Sequence, residues 1–250
     1  MADAKPRVPR IYQTSGAPSF WALMNGPART HAADAGDVAD LTGHVAASVR
    51  SSGCTWTPGP FGNRLLLNGA SNGAKATGLA PQTGSFAVTY RFNAASYGTN
   101  ACMINYGINW DVIFNNGVFF RILGLGGVIT NTTPALNAEH FVAAYYDAIA
   151  GQVGISLDGG AFAVATTTAP RVFAGSLFFG NNSGGSLPFT GAIDDVRIFN
   201  RVPSAAEFAS IYADPYWRLR PPRSVAVWGG NPALIFRRGL YNRTGSRGVA

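Results

Sequence analysis

Carboxylates are the side chains of this sequence that could support hydrolysis, and they are few. An enzyme that cleaves a polysaccharide needs two of them, one to protonate the leaving oxygen and one to act as nucleophile or base. The 250-residue chain has two glutamates, Glu139 and Glu207, and Glu207 fits a helix cap better than a catalytic acid. Asp194 and Asp195 are adjacent, so in a strand their side chains are expected on opposite faces. We therefore expect the chain not to be an enzyme.

The histidines and cysteines lead to the same expectation. His31, His44 and His140 are scattered, and the chain has neither a Gly-x-Ser-x-Gly elbow nor a His-Glu-x-x-His motif, so each histidine fits a packing or turn role better than that of a base. Cys54 and Cys102 are too few for a disulfide framework or a zinc ribbon, and we expect them to be buried. Whether they pair is left open by the sequence.

Sugar binding is the other chemistry that the residues allow. A shallow glycan site needs an exposed aromatic ring with amide or carboxylate groups nearby. Tyr106, Trp110 with Asp111, and the pair Asn181-Asn182 lie in or near predicted loops and could supply these groups. The alternative is that the rings belong to the core, where most aromatic residues of a sandwich lie.

The positive charge of the chain is confined to its ends. The formal net charge is +7, yet residues 31–214 carry more acidic than basic groups, whereas residues 215–250 hold seven arginines and no acid. We predict an extended N-terminal arm over residues 1–27 and a basic, partner-contacting C-terminal arm over residues 215–250. Protein is favoured over nucleic acid as the partner of this arm, because arginine and aromatic residues are enriched at protein interfaces. The predicted contact residues are Arg218, Arg220, Arg223, Trp228, Arg237 and Arg238.

The elements that must position these groups are short strands. Hydrophobic residues make up 47% of the chain and charged residues 12%, with 31 glycines, a composition typical of strands joined by tight turns. Asp158-Gly159 and Asn115-Asn116-Gly117 each separate two apolar runs and predict hairpins. The one predicted helix begins with a capping box at Ser204 and Glu207. Two antiparallel sheets with one short helix near the end are therefore expected.

Residues 191–201 (GAIDDVRIFNR), followed by residues 203–208 (PSAAEF), closely resemble the closing signature of laminin-G-like, concanavalin A-like jelly rolls. Residues 40–44, 61–69, 141–147 and 153–159 resemble the opening turn and the core strands of that family in the same order. The resemblance implies an all-β, two-sheet jelly-roll domain, which we place at residues 28–214. Members of this class include sugar-binding modules, glycosidases, adhesion domains and virion proteins, so the fold does not fix the function.

Calcium is the cofactor that the resemblance implies, because related jelly rolls hold it with loop aspartates. Asp40 and one of Asp194 or Asp195 match the positions that could contribute. The alternative is that Asp40 caps its own turn and Asp195 accepts backbone N–H groups. Since no dense acidic loop accompanies them, we predict no cofactor and no metal site.

Residues 214–221 (DPYWRLRP) resemble the segment that comes directly after such domains in proteins of tailed bacteriophages. The leading prediction is a structural protein of a bacteriophage virion, a capsid decoration protein or a tail or fibre component, gripping neighbouring virion proteins or further copies of itself through its arms. The alternative is a lectin-like module that recognises a bacterial surface glycan. The apolar stretch at residues 20–24 is too short for a signal peptide or a membrane span, so we expect virion assembly in the host cytoplasm and no membrane partner.

Overall fold

The computed structural model describes residues 20–22, 47–50, 54–70, 73–130, 132–167 and 172–214, with the backbone alone at 20–22, 47–50 and Gly62. The chain divides into two units, residues 1–219 and 220–250, and every described residue belongs to the first. Fifteen strands and one helix form within the described ranges. They are β1 (Phe20–Ala22), β2 (Ala47–Arg50), β3 (Cys54–Gly59), β4 (Gly62–Asn68), β5 (Ala74–Thr77), β6 (Phe86–Ser96), β7 (Ala101–Tyr106), β8 (Trp110–Phe114), β9 (Val118–Ile122), β10 (Gly126–Ile129), β11 (His140–Asp147), β12 (Gln152–Leu157), β13 (Ala163–Thr166), β14 (Leu177–Phe179), β15 (Thr190–Phe199) and α1 (Ala205–Ala213).

The strands form two antiparallel sheets. Sheet 1 has the order β13-β12-β11-β6-β15-β4-β3, and β1 pairs with β15. Sheet 2 has the order β10-β9-β8-β7-β14-β5-β2. This confirms the predicted two-sheet, all-β jelly roll. Strand β1 comes from the segment predicted as the N-terminal arm, so at least residues 20–22 of that segment are part of sheet 1.

Both predicted hairpins form. Asp158 and Gly159 have φ angles of 52° and 71°, and Gly160 N donates to Leu157 O at 3.0 Å, as a type I′ turn requires. Asn116, with φ of 57°, closes the β8–β9 hairpin, in which Phe114 pairs with Val118. Glycine visits the left-handed region without steric cost, and asparagine and aspartate do so more readily than other residues, which explains why these two turns could be predicted from the sequence.

The core lies between the sheets and is built from the residues that alternate inward on each strand. Phe86 of sheet 1 stacks on Trp110 of sheet 2, with 5.3 Å between the ring centroids, and contacts Phe120 edge to face. Cys54 and Cys102 are both buried thiols, as predicted. Burial raises the pKa of Cys102 well above its usual range, so this thiol stays protonated.

Helix α1 covers the outer face of sheet 1. Ser204 Oγ accepts a hydrogen bond from Glu207 N at 3.3 Å, and Glu207 Oε2 accepts one from Ser204 N at 2.9 Å, which confirms the predicted capping box. The buried residues Phe208 and Ile211 form a second apolar cluster with Phe141 and three other residues of sheet 1. Among the residues described, no helix is long and apolar enough to cross a membrane.

A bulge in β15 overturns the expectation that Asp194 and Asp195 face opposite sides. Asp195 has a φ of 50°, and the pairing of β15 with β6 shifts register between Asp194 and Arg197. Both carboxylates therefore lie among the arginines on the outer face of sheet 1. Asp195 receives three hydrogen bonds of 2.8 to 2.9 Å from Arg197, and Arg91 Nε lies 3.8 Å from its Oδ2 atom.

Arg91 also joins the sheet to the end of the helix. Its Nη2 donates to Tyr212 O at 2.6 Å and to Ile211 O at 3.2 Å, in the last turn of α1. The last carbonyls of a helix carry partial negative charge and have no partner within the helix, so a guanidinium is well suited to them. The ring of Phe61 lies 4.4 Å from the guanidinium carbon.

Candidate functional site

The two aromatic residues that the sequence offered as sugar-binding candidates are in the core. Tyr106 and Trp110 are both fully buried, because they lie at the ends of β7 and β8 and point inward between the sheets. Their rings stack on each other with 5.6 Å between centroids, and Trp110 Nε1 donates to Gln82 Oε1 at 3.3 Å. These rings are therefore not available as a glycan platform, and the assignment to the core is the one observed.

Asn181 and Asn182 shape a loop, and one of them remains accessible. Asn181 is 3% exposed, and its Oδ1 atom accepts hydrogen bonds from the backbone N–H groups of Asn182 and Leu187. Asn182 closes the same loop by bonding to the backbone and hydroxyl of Ser186. Asn181 thus holds residues 181–186 in shape, whereas Asn182 is only partly buried.

Asp111, the remaining sugar-binding candidate, belongs to a line of residues that crosses sheet 2 on its outer face. The strand registers pair Lys75 with Phe178, Phe178 with Asn105, Asn105 with Asp111, and Asp111 with Arg121. Each of the five stands between two core residues of its own strand, so all five point away from the core. We call these residues the polar row. Neighbouring strands are about 4.8 Å apart, so the row is roughly 19 Å long.

Asp111 and Arg121 form the charged end of the row. Arg121 Nε donates to Asp111 Oδ1 at 2.7 Å and Nη2 donates to Oδ2 at 2.9 Å, a bidentate pair. Burial raises the pKa of Asp111, and the hydrogen bonds from Arg121 lower it in part. The Arg121 side chain is 31% exposed, and its other three N–H donors have no partner among the described residues. The arginine is therefore fixed in orientation and keeps donors for a ligand.

The other end of the row is aromatic and basic. Phe178 is half-buried, and Lys75 Nζ lies 5.4 Å from the centroid of its ring. Between the two ends, Asn105 Oδ1 accepts a hydrogen bond from Ser183 N at 3.1 Å. That bond holds the polar loop 181–186 against the middle of the row, and Ser183 itself is exposed. The row thus combines an accessible ring, two cations and a polar loop.

Gly127 of β10 lies beside Arg121 in the same line. A Cβ atom at this position would come within 2.4 Å of Phe120 O and 2.7 Å of Arg121 Cα. Real Cβ atoms are essentially never this close to backbone atoms, so only glycine fits beside Arg121 without displacing the strand.

The two glutamates lie in ion pairs. Arg64 Nη1 is 2.7 Å from Glu139 Oε2, and burial raises the pKa of Glu139. Arg201 donates to both oxygens of Glu207 at 2.8 and 2.6 Å. The sequence pattern predicted the helix cap at Glu207 but not this arginine partner.

His140 is the histidine that the structure describes, and it has a partner on each ring nitrogen. Nδ1 lies 2.7 Å from Asp158 Oδ2, and Nε2 lies 3.0 Å from Ala135 O. Asp158 also accepts a hydrogen bond from Phe141 N at 2.8 Å. The histidine thereby connects the start of β11 to the β12–β13 turn by hydrogen bonds, so its role here is structural. His31 and His44 lie outside the described residues.

Of the aspartates considered for calcium, one lies outside the described residues and another is in an ion pair. Asp40 lies outside the described residues. Both oxygens of Asp195 accept hydrogen bonds from Arg197, an arrangement that suits an ion pair rather than a metal ligand. Within the parts of the chain that are described, no three His, Cys, Asp or Glu side chains are grouped so that they could hold a metal ion. The predicted contact residues of the C-terminal arm, from Arg218 to Arg238, also lie outside the described residues.

Solved structures of low sequence identity share this fold. Domain 4 of AbnA, an extracellular GH43 arabinanase from Geobacillus stearothermophilus solved with arabinotriose, is 16% identical with a TM-score of 0.63, covering 79% of this chain and 98% of that one. The binding domain of Paraclostridial Mosquitocidal Protein 1 is 12% identical with a TM-score of 0.63, covering 78% of this chain and 52% of that one. A botulinum neurotoxin type C structure, described as interacting with two ganglioside molecules, is 13% identical with a TM-score of 0.59, covering 80% of this chain and 51% of that one.

At these identities the likeness shows the fold and not the ligand. No curated protein sequence matches the chain. The sequence profile of the concanavalin A-like lectin/glucanases superfamily matches residues 68–209, which is more than half of the chain. That span includes all five residues of the polar row, between positions 75 and 178, as well as the capping box of α1. The chain belongs to the concanavalin A-like lectin/glucanase superfamily.

Proposed function

We propose that the chain is a carbohydrate-binding module without catalytic activity and that the polar row is its glycan site. One observation carries the proposal: Phe178 and Arg121 are held on one line of the outer face of sheet 2, the ring half-buried and the guanidinium fixed by Asp111. A binding site of this kind needs a few accurately placed polar groups beside an apolar surface, and the row supplies both.

The proposed binding mode follows from the chemistry of the two ends. The C–H face of a sugar ring packs on Phe178, because this removes apolar surface of both partners from water. Hydroxyl and ring oxygens accept hydrogen bonds from Lys75 and from the remaining donors of Arg121. The loop 181–186 borders the site, where Asn182 and Ser183 are accessible. Phe178 and Lys75 lie roughly 14 and 19 Å from Arg121, on the other side of the buried residues Asn105 and Asp111, so an extended oligosaccharide rather than a single sugar is needed to reach both ends.

The absence of catalysis is part of the proposal. It is supported by the engagement of Glu139 and Glu207 with arginines and by the burial of Asp111, Asp194 and Asp195. A glycosidase needs one carboxylic acid and one carboxylate facing the same scissile bond. The expected result is that no polysaccharide bound by the chain releases reducing sugar on prolonged incubation.

Affinity electrophoresis tests the binding site. The full chain is run through native gels that contain one soluble polysaccharide each, with arabinan and a sialylated glycan in the panel. We expect retardation in at least one gel. Phe178→Leu keeps an apolar side chain but removes the ring, and it should abolish most of the retardation.

Phe119→Leu is the matched control. Phe119 is also half-buried on the outer face of sheet 2, but it pairs with Ile113 and Ile129 and lies outside the polar row. The control variant should be retarded like the unchanged chain. Equal retardation of the Phe178 variant, or no retardation in any gel, would refute the proposal.

A second proposal concerns the larger assembly: a structural role in a bacteriophage virion, with arms that contact neighbouring subunits. It is supported by the sequence of residues 215–250, with seven arginines and no acid. The two proposals are compatible in one protein. The chain should co-sediment with assembled particles, and deletion of residues 215–250 should remove it from them. Co-sedimentation at full occupancy without these residues would refute the role of the C-terminal arm.

A further inference from the structure

Several loops meet at one end of the sandwich. The strand registers bring these loops to the same end. Their strand-end pairs are Phe86 with Tyr146, Tyr106 with Leu177, and Trp110 with Ile122. Direct contacts join them: Asn109 Nδ2 donates to Ala174 O at 2.6 Å, and Ser85 Oγ accepts from Ala148 N at 2.9 Å. The loops are residues 78–85, 107–109, 123–125, 148–151 and the described part of the β13–β14 connection.

Three of these loops present an aliphatic side chain to solvent. Ile149 is 96% exposed, Ile108 is 82% exposed and Val172 is 64% exposed, the three largest exposures among the large hydrophobic residues described. We call this set the aliphatic end. The other exposed aliphatic residues, among them Leu136 at 46%, are distributed over other surfaces. Three such exposures at one end are more than the scatter of single apolar residues that every surface shows.

The same loops carry almost no charge. Asp147, at the base of the β11–β12 turn, is the charged residue among the described residues of this end, and its Oδ1 atom accepts hydrogen bonds from Ile149 N, Ala150 N and Ser85 Oγ. Residues 168–171 of the β13–β14 connection, including Arg171, lie outside the described residues. Depletion of charge around exposed apolar side chains is characteristic of the centre of a protein interface.

We propose that the aliphatic end is a contact surface between two copies of this chain, related by a two-fold axis. In a two-fold contact the same surface is present on both copies, so a charged residue near the axis lies opposite the same charge and is repelled. An apolar surface without charges avoids this repulsion. A membrane is a poorer fit, because the described loops of this end lack the exposed aromatic and basic side chains that anchor proteins at a lipid interface.

The small size of the contact indicates a weak association. Seven strands about 4.8 Å apart span about 34 Å and the two sheets lie about 10 Å apart, so the end of the sandwich offers roughly 340 Å² per copy. Two copies would bury about 680 Å² in total, which is less than stable specific complexes bury, so we expect a transient association with a dissociation constant on the order of millimolar. The proposal is independent of glycan binding.

Sedimentation equilibrium of the full chain, from about 5 μM to about 1 mM, tests the proposal. The average mass should rise with concentration toward twice the mass of one chain. Ile149→Asp and Ile108→Asp should each weaken the association at least tenfold, because a two-fold contact repeats every substitution and brings two carboxylates together. Hydrogen exchange at residues 107–109 and 147–151 should slow as the concentration rises.

Leu136→Asp is the matched control, since Leu136 is an exposed loop residue at the opposite end of the sandwich and should leave the association unchanged. The thermal transition of each variant shows that it folds. A chain that stays monomeric over the whole range, or one whose association is unaffected by the Ile149 and Ile108 substitutions, would overturn the proposal. So would an equal effect of Leu136→Asp.

Discussion

Replacing Arg197 by methionine should destabilise the fold strongly. The Arg197 side chain is 1% exposed, its partner Asp195 is 0% exposed, and three hydrogen bonds join them. Burial lowers the pKa of Arg197, and Asp195 raises it again, so each charge depends on the other. Removing one member of a buried pair costs about 3–5 kcal/mol because the other charge stays uncompensated. The lower part of that range is expected here, because Arg91 remains 3.8 Å from Asp195.

Removal of both charges should cost less than the sum of the single losses. Asparagine accepts the left-handed φ of 50° at position 195, so Asp195→Asn adds no backbone strain. The double variant Asp195→Asn/Arg197→Met should recover at least about 2 kcal/mol of the summed single losses. Arg197→Lys, which keeps the charge and loses the planar fork, should fall between wild type and Arg197→Met.

Urea unfolding followed by tryptophan fluorescence measures these differences, since Trp110 reports on the core. With a slope of about 2 kcal/mol per molar urea, a loss of about 3–4 kcal/mol in Arg197→Met moves the midpoint by roughly 1.5–2 M. This is a large share of the about 5–15 kcal/mol that stabilise a typical domain. Interdependence of the two charges is refuted if Arg197→Met stays within about 1 kcal/mol of wild type, or if the two single losses add up in the double variant.

Three further outcomes are expected. Burial and the charge of Asp158 raise the pKa of Tyr97 to about 12, so the folded state keeps the tyrosine proton at pH values where the unfolded chain, with a pKa of 10.0, loses it. The free energy of unfolding should therefore fall between pH 10 and pH 12, and it should fall less in Tyr97→Phe, as measured by urea midpoints. Gly127→Ala should cost about 1–3 kcal/mol because its Cβ meets strand backbone, whereas Gly84→Ala, with no atom within 4 Å, should be neutral or slightly stabilising. Ser204→Ala should cost about 1 kcal/mol by thermal unfolding, through loss of the helix cap.

Each of these outcomes has a clear contradiction. An alkaline stability loss that is the same in Tyr97→Phe would place the titrating group elsewhere. A Gly127 variant as stable as the Gly84 variant would show that the strand backbone yields to the added methyl group. A Ser204 variant with unchanged stability would mean that the hydrogen bond from Glu207 N contributes nothing measurable.

Features that depend on neighbouring residues were predictable from the sequence. The turns at Asp158-Gly159 and Asn116-Gly117 follow from backbone preferences of single residues, and the capping box follows from the three-residue spacing of Ser204 and Glu207. The bulge at Asp195 was not predictable in this way, because it is stabilised by Arg91 and Arg197 on the folded sheet.

The polar row was missed because its five residues come from five strands spread over more than 100 positions of the chain. Part of it was nevertheless predictable. Asp111 and Arg121 are each five positions from Asn116, the centre of the β8–β9 hairpin, so the register of that hairpin places them opposite each other. The sequence places Trp110 in or near a loop but leaves its direction open, because a strand end and a loop look alike in sequence, and only the pairing with Tyr106 fixes its inward direction.

The place of β15 in sheet 1 has a consequence for folding during synthesis. This strand lies between β6 and β4, both of which are made more than 90 residues earlier, and β1 pairs with it as well. Until β15 leaves the ribosome, β6 and β4 each present an open edge, and such edges pair readily with other chains. Contacts so distant in sequence also slow folding. Sheet 1 can therefore close only after synthesis has passed residue 199. A chain stalled before residue 190 exposes the open edges of β6 and β4 and lacks the strand with which β1 pairs.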